Sequence, residues 1–273
     1  MAHITTDDDV RLHLKDWGTG KPVFLMHGWP LSADTFDDLS MAIAGAGMRA
    51  IAYDRRGFGR SEQPWDGYDY DRLSDDLAAV IDYVDLDEAT IIGFSMGGGE
   101  VARYMSRHRG KRVAKAVLIA SVVPYMQKTA DHPHGVEQGV FDQIGKALTE
   151  DRAKFWSGFF KDFYGVGSDA HPVSDEVIDW SRSMAMYASA KATLECAKSF
   201  STTDFRPDLA HFKVPTLIIH GTADKTVPID ATARVAARGI ANSKLIEYDG
   251  GPHGLLASHR QRVIDDVLAF LRD

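Results

Sequence analysis

The chain has 273 residues, of which 44% are hydrophobic and 26% charged, and its net charge is −8. Such a length suits one large domain or one domain with an insert, and such apolar content excludes a wholly disordered chain. A pI near 5.7 argues against a nucleic-acid binder, which needs a basic face. The single cysteine, Cys196, has no partner for an internal disulfide and cannot build a zinc cluster. The opening residues Met1 to Asp9 lack a basic segment and an apolar run, so no signal peptide is expected. The most apolar stretch, Ala116 to Val123, falls far short of the roughly 20 residues that span a bilayer. A cytoplasmic protein is the default expectation.

In chain order, Val10 to Leu14 alternates apolar and polar residues with the period of a half-buried strand. Val23 to Met26 is all apolar, as are Ala50 to Tyr53 and Ala116 to Ala120, and Ala89 to Ile92 is apolar but for Thr90. Apolar runs of this kind belong to strands covered on both faces, as in a parallel sheet. Helical spacing separates them, with Leu73, Leu77, Val80 and Val84 in one segment and Val101, Ala102 and Met105 in another. Two more strands follow late, Thr216 to Ile219 and Lys244 to Tyr248, and a helix carrying Val263, Val267 and Leu271 closes the chain. Strands alternating with helices predict an α/β fold with a mostly parallel sheet.

Residues 124–211 break this rhythm. They hold aromatic and Met-rich helical stretches, Phe155 to Tyr164 and Trp180 to Tyr187, and no clear buried strand. The segment reads as a helical cap (124–211), its aromatic and Met residues mostly core, inserted into an α/β core made of residues 1–123 and 212–273.

Gly93-Phe94-Ser95-Met96-Gly97 matches G-x-S-x-G, a weak signal alone. Here it follows an apolar strand and opens a helix. The motif's mechanics require that context, because a sharp strand-to-helix turn holds the serine hydroxyl above the sheet. Serine needs an adjacent base to act as a nucleophile. Among 11 histidines, His253 stands in a glycine-rich turn after the last strand, Gly250 to Gly254. Asp224 follows the strand Thr216–Ile219 at its carboxyl end, where open α/β sheets place their sites. Asp204 and Asp208 are rivals that lie before that strand. The expected catalytic set is Ser95, Asp224 and His253, in the Ser…Asp…His chain order of hydrolases of this architecture. The loop after the Val23–Met26 strand, His27-Gly28-Trp29-Pro30, offers the Trp29 N–H, which is expected to pair with the Met96 N–H as an oxyanion hole. His27 is expected to hold that loop.

The segments Phe24 to Leu31, Tyr53-Asp54-Arg55-Arg56-Gly57-Phe58-Gly59-Arg60-Ser61 and Gly93 to Glu100 resemble the α/β-hydrolase fold family, and within it the cofactor-free (non-heme) bacterial haloperoxidases, or perhydrolases, with their arylesterase relatives. The resemblance covers nearly the whole chain. It implies hydrolysis of small esters, peracid formation from carboxylic acids and hydrogen peroxide, no cofactor and no metal, and a homo-oligomer. Partners beyond small molecules, such as nucleic acid or a membrane, are not expected. In this subgroup a proline at the position of Pro30 goes with perhydrolase activity. Proline restricts the residue before it, which fixes the direction of the Trp29 carbonyl. The alternative is that Pro30 only stiffens the loop.

The arginine-rich turn at Arg55 to Ser61 is expected to be structural, pairing nearby carboxylates. His132-Pro133-His134 lacks the spacing of a metal site. Because ligand pockets are largely apolar, Trp29, Pro30, Val122, Phe159, Phe163 and Ile229 are the expected substrate-binding residues. A plain carboxylesterase, a lactonase or a γ-lactamase are the alternatives within this chemistry. Hydroxynitrile lyases and C–C hydrolases also keep a serine. A non-catalytic binding scaffold is the alternative outside enzymology.

Overall fold

The computed structural model describes residues 2–167 and 170–273. Eight strands form one sheet: β1 (Ala2–Thr5), β2 (Arg11–Gly18), β3 (Pro22–Met26), β4 (Arg49–Tyr53), β5 (Ala89–Phe94), β6 (Val113–Ile119), β7 (Thr216–Gly221) and β8 (Ser243–Tyr248). Their order is β1-β2-β4-β3-β5-β6-β7-β8. β1–β2 and β2–β4 pair antiparallel, and every other neighbouring pair runs parallel. All of β3, β5 and β7 is buried, which is why their sequences are mostly apolar, with Thr90, Thr216 and His220 the buried polar exceptions. β8 forms one edge and is largely half-exposed, so its sequence admits Lys244 and Glu247.

The sheet is covered by α1 (Asp37–Gly45), α2 (Tyr70–Val84), α3 (Met96–Arg107), α7 (Ala233–Gly239) and α9 (Arg260–Arg272). The short α8 (Leu255–Ser258) precedes α9. α2 starts where the Asp69 carboxylate accepts the Arg72 N–H, and stops at Asp85 in a left-handed conformation. The side-chain cap satisfies one of the orphan donors of the first turn.

Between β6 and β7 lie α4 (Gln138–Tyr164), α5 (Asp175–Tyr187) and α6 (Ala190–Thr202). α4 is kinked at Asp151, whose backbone is extended. The Asp151 carboxylate accepts the Lys154 N–H at 2.9 Å and so caps the second half of the helix. That half carries Trp156, Phe160, Phe163 and Tyr164 at helical spacing, all buried. On α5 the sequence reading needs correction. Trp180, Met186 and Tyr187 are exposed, Tyr187 at 78%, because α5 packs inward through Ile178, Ser181 and Ala185 instead.

Candidate active site

Three loops at the carboxyl ends of parallel strands build the site. The first joins β5 directly to α3. Ser95 is the only residue between them, at φ 53°, ψ −116°. A non-glycine residue with positive φ is strained and persists only when its surroundings fix it. Here the Ser95 N–H donates to the Ile119 carbonyl at 2.9 Å, and its own carbonyl accepts the Gly98 N–H at 3.0 Å. Gly97 is obligatory at this turn, since a Cβ there would stand 2.1 Å from the Met26 carbonyl oxygen.

The second loop follows β7. Asp224 is buried, and its Oδ1 accepts the N–H groups of Thr226 at 2.9 Å and Val227 at 2.8 Å. Oδ2 faces His253 Nδ1 at 2.6 Å. Burial works to raise the Asp224 carboxyl. The charge of His253 and the hydrogen bonds from His220 and His253 outweigh it and hold the group well below the usual carboxylate range.

The third loop follows β8 and carries His253, fully buried. Its Nε2 lies 2.9 Å from Ser95 Oγ. With Nδ1–H donating to Asp224, Nε2 is free to accept the serine proton. The loop approaches closely because of Gly221, where a Cβ would stand 2.1 Å from the Gly251 carbonyl oxygen. The imidazole packs edge-on to Phe163 (centroids 4.8 Å apart) and tilted against Phe94 (5.4 Å). The structure thus brings Ser95, His253 and Asp224 into one hydrogen-bonded path. The rival acids are engaged elsewhere, Asp204 with Arg206 and Asp208 with Arg103 and Ser106.

The loop after β3 borders the same turn. It closes through the Leu31 N–H to the Gly28 carbonyl at 3.0 Å, and the Trp29–Pro30 peptide is cis. Met96 opens α3, so its N–H has no helical carbonyl to reach. His27 Nε2 accepts the Arg55 N–H at 3.0 Å, and Nδ1 donates to the Gly28 carbonyl at 2.9 Å. Burial, with Arg55 adjacent, pushes His27 well below its usual value, so the ring is neutral. Arg55 donates to the His27 carbonyl at 2.6 Å and pairs with the buried Glu100. Arg56 pairs with Asp76 and Asp8. The arginine turn is therefore structural, and His132 is tied to the Tyr125 carbonyl at 3.0 Å.

Ser95 opens onto a cavity of about 230 Å³. Of the expected lining residues, Trp29, Val122 and Phe159 are present. Phe163 is not, because one helical turn beyond Phe159 it reaches the His253 ring instead. Ile229 is not, because it is buried in the core two residues past Val227, which takes the lining position. Pro30 is buried and is not among the lining residues. Sequence reasoning missed Met126, Val136, Phe141, Ile144 and Phe200. The i, i+1, i+4 spacing of Val140, Phe141 and Ile144 on α4 was the available signal. Trp29 anchors the floor by donating Nε1–H to the Thr193 carbonyl at 3.0 Å and by edge contacts with Trp156, Phe159 and Phe200.

Comparison with known proteins agrees with this architecture. The family described as alpha/beta hydrolase fold matches residues 21–259. The chain belongs to the alpha/beta hydrolase fold family. It is 44% identical to a non-heme chloroperoxidase of Streptomyces lividans and 41% identical to a bifunctional esterase/perhydrolase of Acinetobacter calcoaceticus, each alignment covering 100% of both chains. Among solved structures it is similar to a bromoperoxidase from Bacillus anthracis, with a TM-score of 0.96 and 41% identity over 100% of both chains. The resemblance read from the three sequence segments and the family found by comparison are the same.

Proposed function

We propose that this chain is a serine esterase that also forms peracids. The observation that carries the reading is the Asp224–His253–Ser95 path, with its 2.6 Å and 2.9 Å contacts, opening on an apolar cavity. Ser95 Oγ attacks the ester carbonyl while His253 Nε2 takes its proton. Asp224 stabilises the resulting imidazolium and holds its orientation. The N–H groups of Trp29 and Met96 receive the developing oxyanion. A missing donor of this kind typically costs about 3–4 kcal/mol of transition-state stabilisation. Collapse transfers the proton from Nε2 to the leaving alcohol and leaves the acyl group on Ser95.

The acyl-enzyme is then attacked by water or by hydrogen peroxide, Nε2 taking the proton of either. Water gives the carboxylic acid, and peroxide gives the peracid. When the acyl donor is a free carboxylic acid, acylation releases water and the sum is acid plus peroxide to peracid plus water. The peracid carries the oxidising equivalent to bromide in solution, forming hypobromous acid and regenerating the carboxylic acid. The relatives named as chloroperoxidase and esterase/perhydrolase support this branch. So does Pro30, which restrains Trp29 beside the nucleophile.

In the same reading residues 124–211 act as a cap over a core of residues 1–123 and 212–273. α4 and α6 support it by supplying Ile144, Phe159 and Phe200 to the cavity wall. Homo-oligomerisation, implied by the resemblance, is read by static light scattering.

The test measures p-nitrophenyl acetate hydrolysis, and peracetic acid formed from acetate and hydrogen peroxide, with Ser95→Ala as the blank. Both activities are expected in the native protein and neither in the blank. Hydrolysis without peracid would leave a plain carboxylesterase.

A further inference from the structure

His220, in β7, has no role in the steps above. It is fully buried, four residues before Asp224. Its Nε2 lies 2.8 Å from the Val227 carbonyl oxygen and 3.2 Å from Asp224 Oδ2. A carbonyl only accepts, so Nε2 carries the proton and shares it between the two oxygens. Nδ1 has no partner among the described residues. A buried N–H there would be left unpaired, so the ring's proton is placed on Nε2, where both acceptors lie.

Counting donors shows what this does. Asp224 Oδ1 holds two backbone N–H groups, and Oδ2 holds two imidazole N–H groups. The carboxylate is clamped on both oxygens and cannot rotate away from His253 without breaking bonds on each side. The Val227 carbonyl joins the clamp, because the residue whose N–H binds Oδ1 has its C=O bound by the same His220. We propose that His220 is a positioning residue for the catalytic acid: its shared Nε2–H locks the Asp224 carboxylate and the 224–227 turn in the orientation that receives His253. The proposal rests on the triad reading above.

Two other charged side chains, Asp162 and Lys225, line the cavity onto which Ser95 opens. His253 faces Ser95 and the uncharged rings of Phe94 and Phe163. Across the β7–β8 pair, His220 is in register with Glu247, whose carboxylate is held by Arg234. Loss of the His220 donor leaves more negative charge on Oδ2 for the His253 imidazolium. His253 then keeps its proton to higher pH, and the acid limb of kcat/KM moves upward.

The test compares His220→Leu, His220→Gln and His220→Asn, with kcat, KM and the pH profile on p-nitrophenyl acetate and with thermal unfolding. Gln can present an amide N–H near the Nε2 position, whereas Asn is too short to do so. His220→Leu is expected to lose about tenfold or more in kcat with KM unchanged, as for a hydrogen bond to a charged group, with its acid limb displaced upward. His220→Gln is expected to recover most of both, and His220→Asn neither. If His220→Leu does not fold, the Gln and Asn pair decides. Wild-type kcat and an unmoved limb in His220→Leu or His220→Asn would overturn the proposal, as would equal losses in the Gln and Asn variants. Those outcomes leave the triad standing when Ser95→Ala is inactive. An active Ser95→Ala overturns the triad and the proposal together.

Discussion

Replacing Asp224 with Asn tests whether the carboxylate sets the tautomer of His253. The substitution is nearly isosteric, so the four donors around the carboxylate stay in place. Asn offers one oxygen and one NH2 to a site built for two acceptors. With its oxygen toward Thr226 and Val227, the NH2 faces His253 and forces Nδ1 to accept, while the His220 Nε2–H loses Oδ2 but keeps the Val227 carbonyl. His253 Nε2 then carries the proton and cannot take the one from Ser95. The flipped amide keeps the productive tautomer but points its NH2 at two buried backbone N–H groups. Leaving those two unpaired costs about 1–3 kcal/mol each, or roughly 2–6 kcal/mol together. At about 1.4 kcal/mol per factor of ten, the unproductive arrangement is favoured by about thirtyfold to about ten-thousandfold. The lost charge opposite the imidazolium adds to this, so kcat on p-nitrophenyl acetate is expected to fall by about 10³ to 10⁴. A circular-dichroism melt checks that the fold survives. A variant within about tenfold of wild type, with Ser95 still labelled at the native rate by a fluorophosphonate, would refute the tautomer argument.

Three further outcomes follow from the geometry. Ile144→Trp adds bulk to the wall of the Ser95 cavity, so hydrolysis of p-nitrophenyl octanoate is expected to drop at least about tenfold relative to the acetate, the scale of a methylene-sized misfit; a proportional loss on both esters would count against that cavity as the acyl site. Burial pushes the Cys196 thiol up to about 12, so a thiol reagent is expected to leave native protein unlabelled at pH 8 and to label it fully in guanidinium. Asp8 is held well below the usual carboxylate range by its hydrogen bonds to Arg56. A depressed folded pKa contributes stability above pH about 4 and loses it as pH falls toward the folded value, so Asp8→Asn is expected to be less stable than wild type at pH 7 and to converge with it in acid, read by urea titration.

The hydrogen-bonded set of Ser95, His253 and Asp224 was legible in the sequence because each member carries a local geometric signature. Ser95 lies between an apolar strand and a helix, with glycines at the two positions where the chain crosses itself. Asp224 and His253 each follow an all-apolar or alternating run that ends at the same edge of the sheet. β1 left no such mark, since Ala2 to Thr5 pairs only with β2, at the sheet's edge, and its polar residues need no second layer. The cavity wall was only half legible, because membership depends on how far α4 has turned past its kink at Asp151. Phe159 and Phe163 share a face, but one turn, about 5.4 Å along the axis, separates a wall of the cavity from a wall of His253. Trp180 and Tyr187 show the opposite error. Aromatic content alone does not state which side of α5 meets the core, and small residues, Ser181 and Ala185, take that side.

The site also depends on a buried ion pair that touches none of the reacting atoms. Arg55 and Glu100 are at most 1% exposed, and such a pair is weak evidence for stability because both charges lose their hydration. Its value here lies in what it joins. Glu100 lies on α3, about one turn beyond Ser95, and also accepts the Tyr53 hydroxyl at 2.6 Å. Arg55 follows β4 and binds the His27 carbonyl, while its own N–H fixes the His27 ring. The pair therefore bolts the helix that carries the Met96 N–H to the loop that carries the Trp29 N–H. Two donors on separate elements can stabilise one oxyanion only if their spacing is fixed before charge develops. An apolar substitute of equal volume would fill the space and leave the His27 carbonyl without its partner, while the backbone N–H of residue 55 still meets the ring, so the loop would be held at one point fewer. On this argument Glu100→Gln, which keeps the shape and removes the charge, loosens the loop, and its cost appears in kcat on p-nitrophenyl acetate with KM little changed; a loss confined to thermal stability would assign the pair to folding alone.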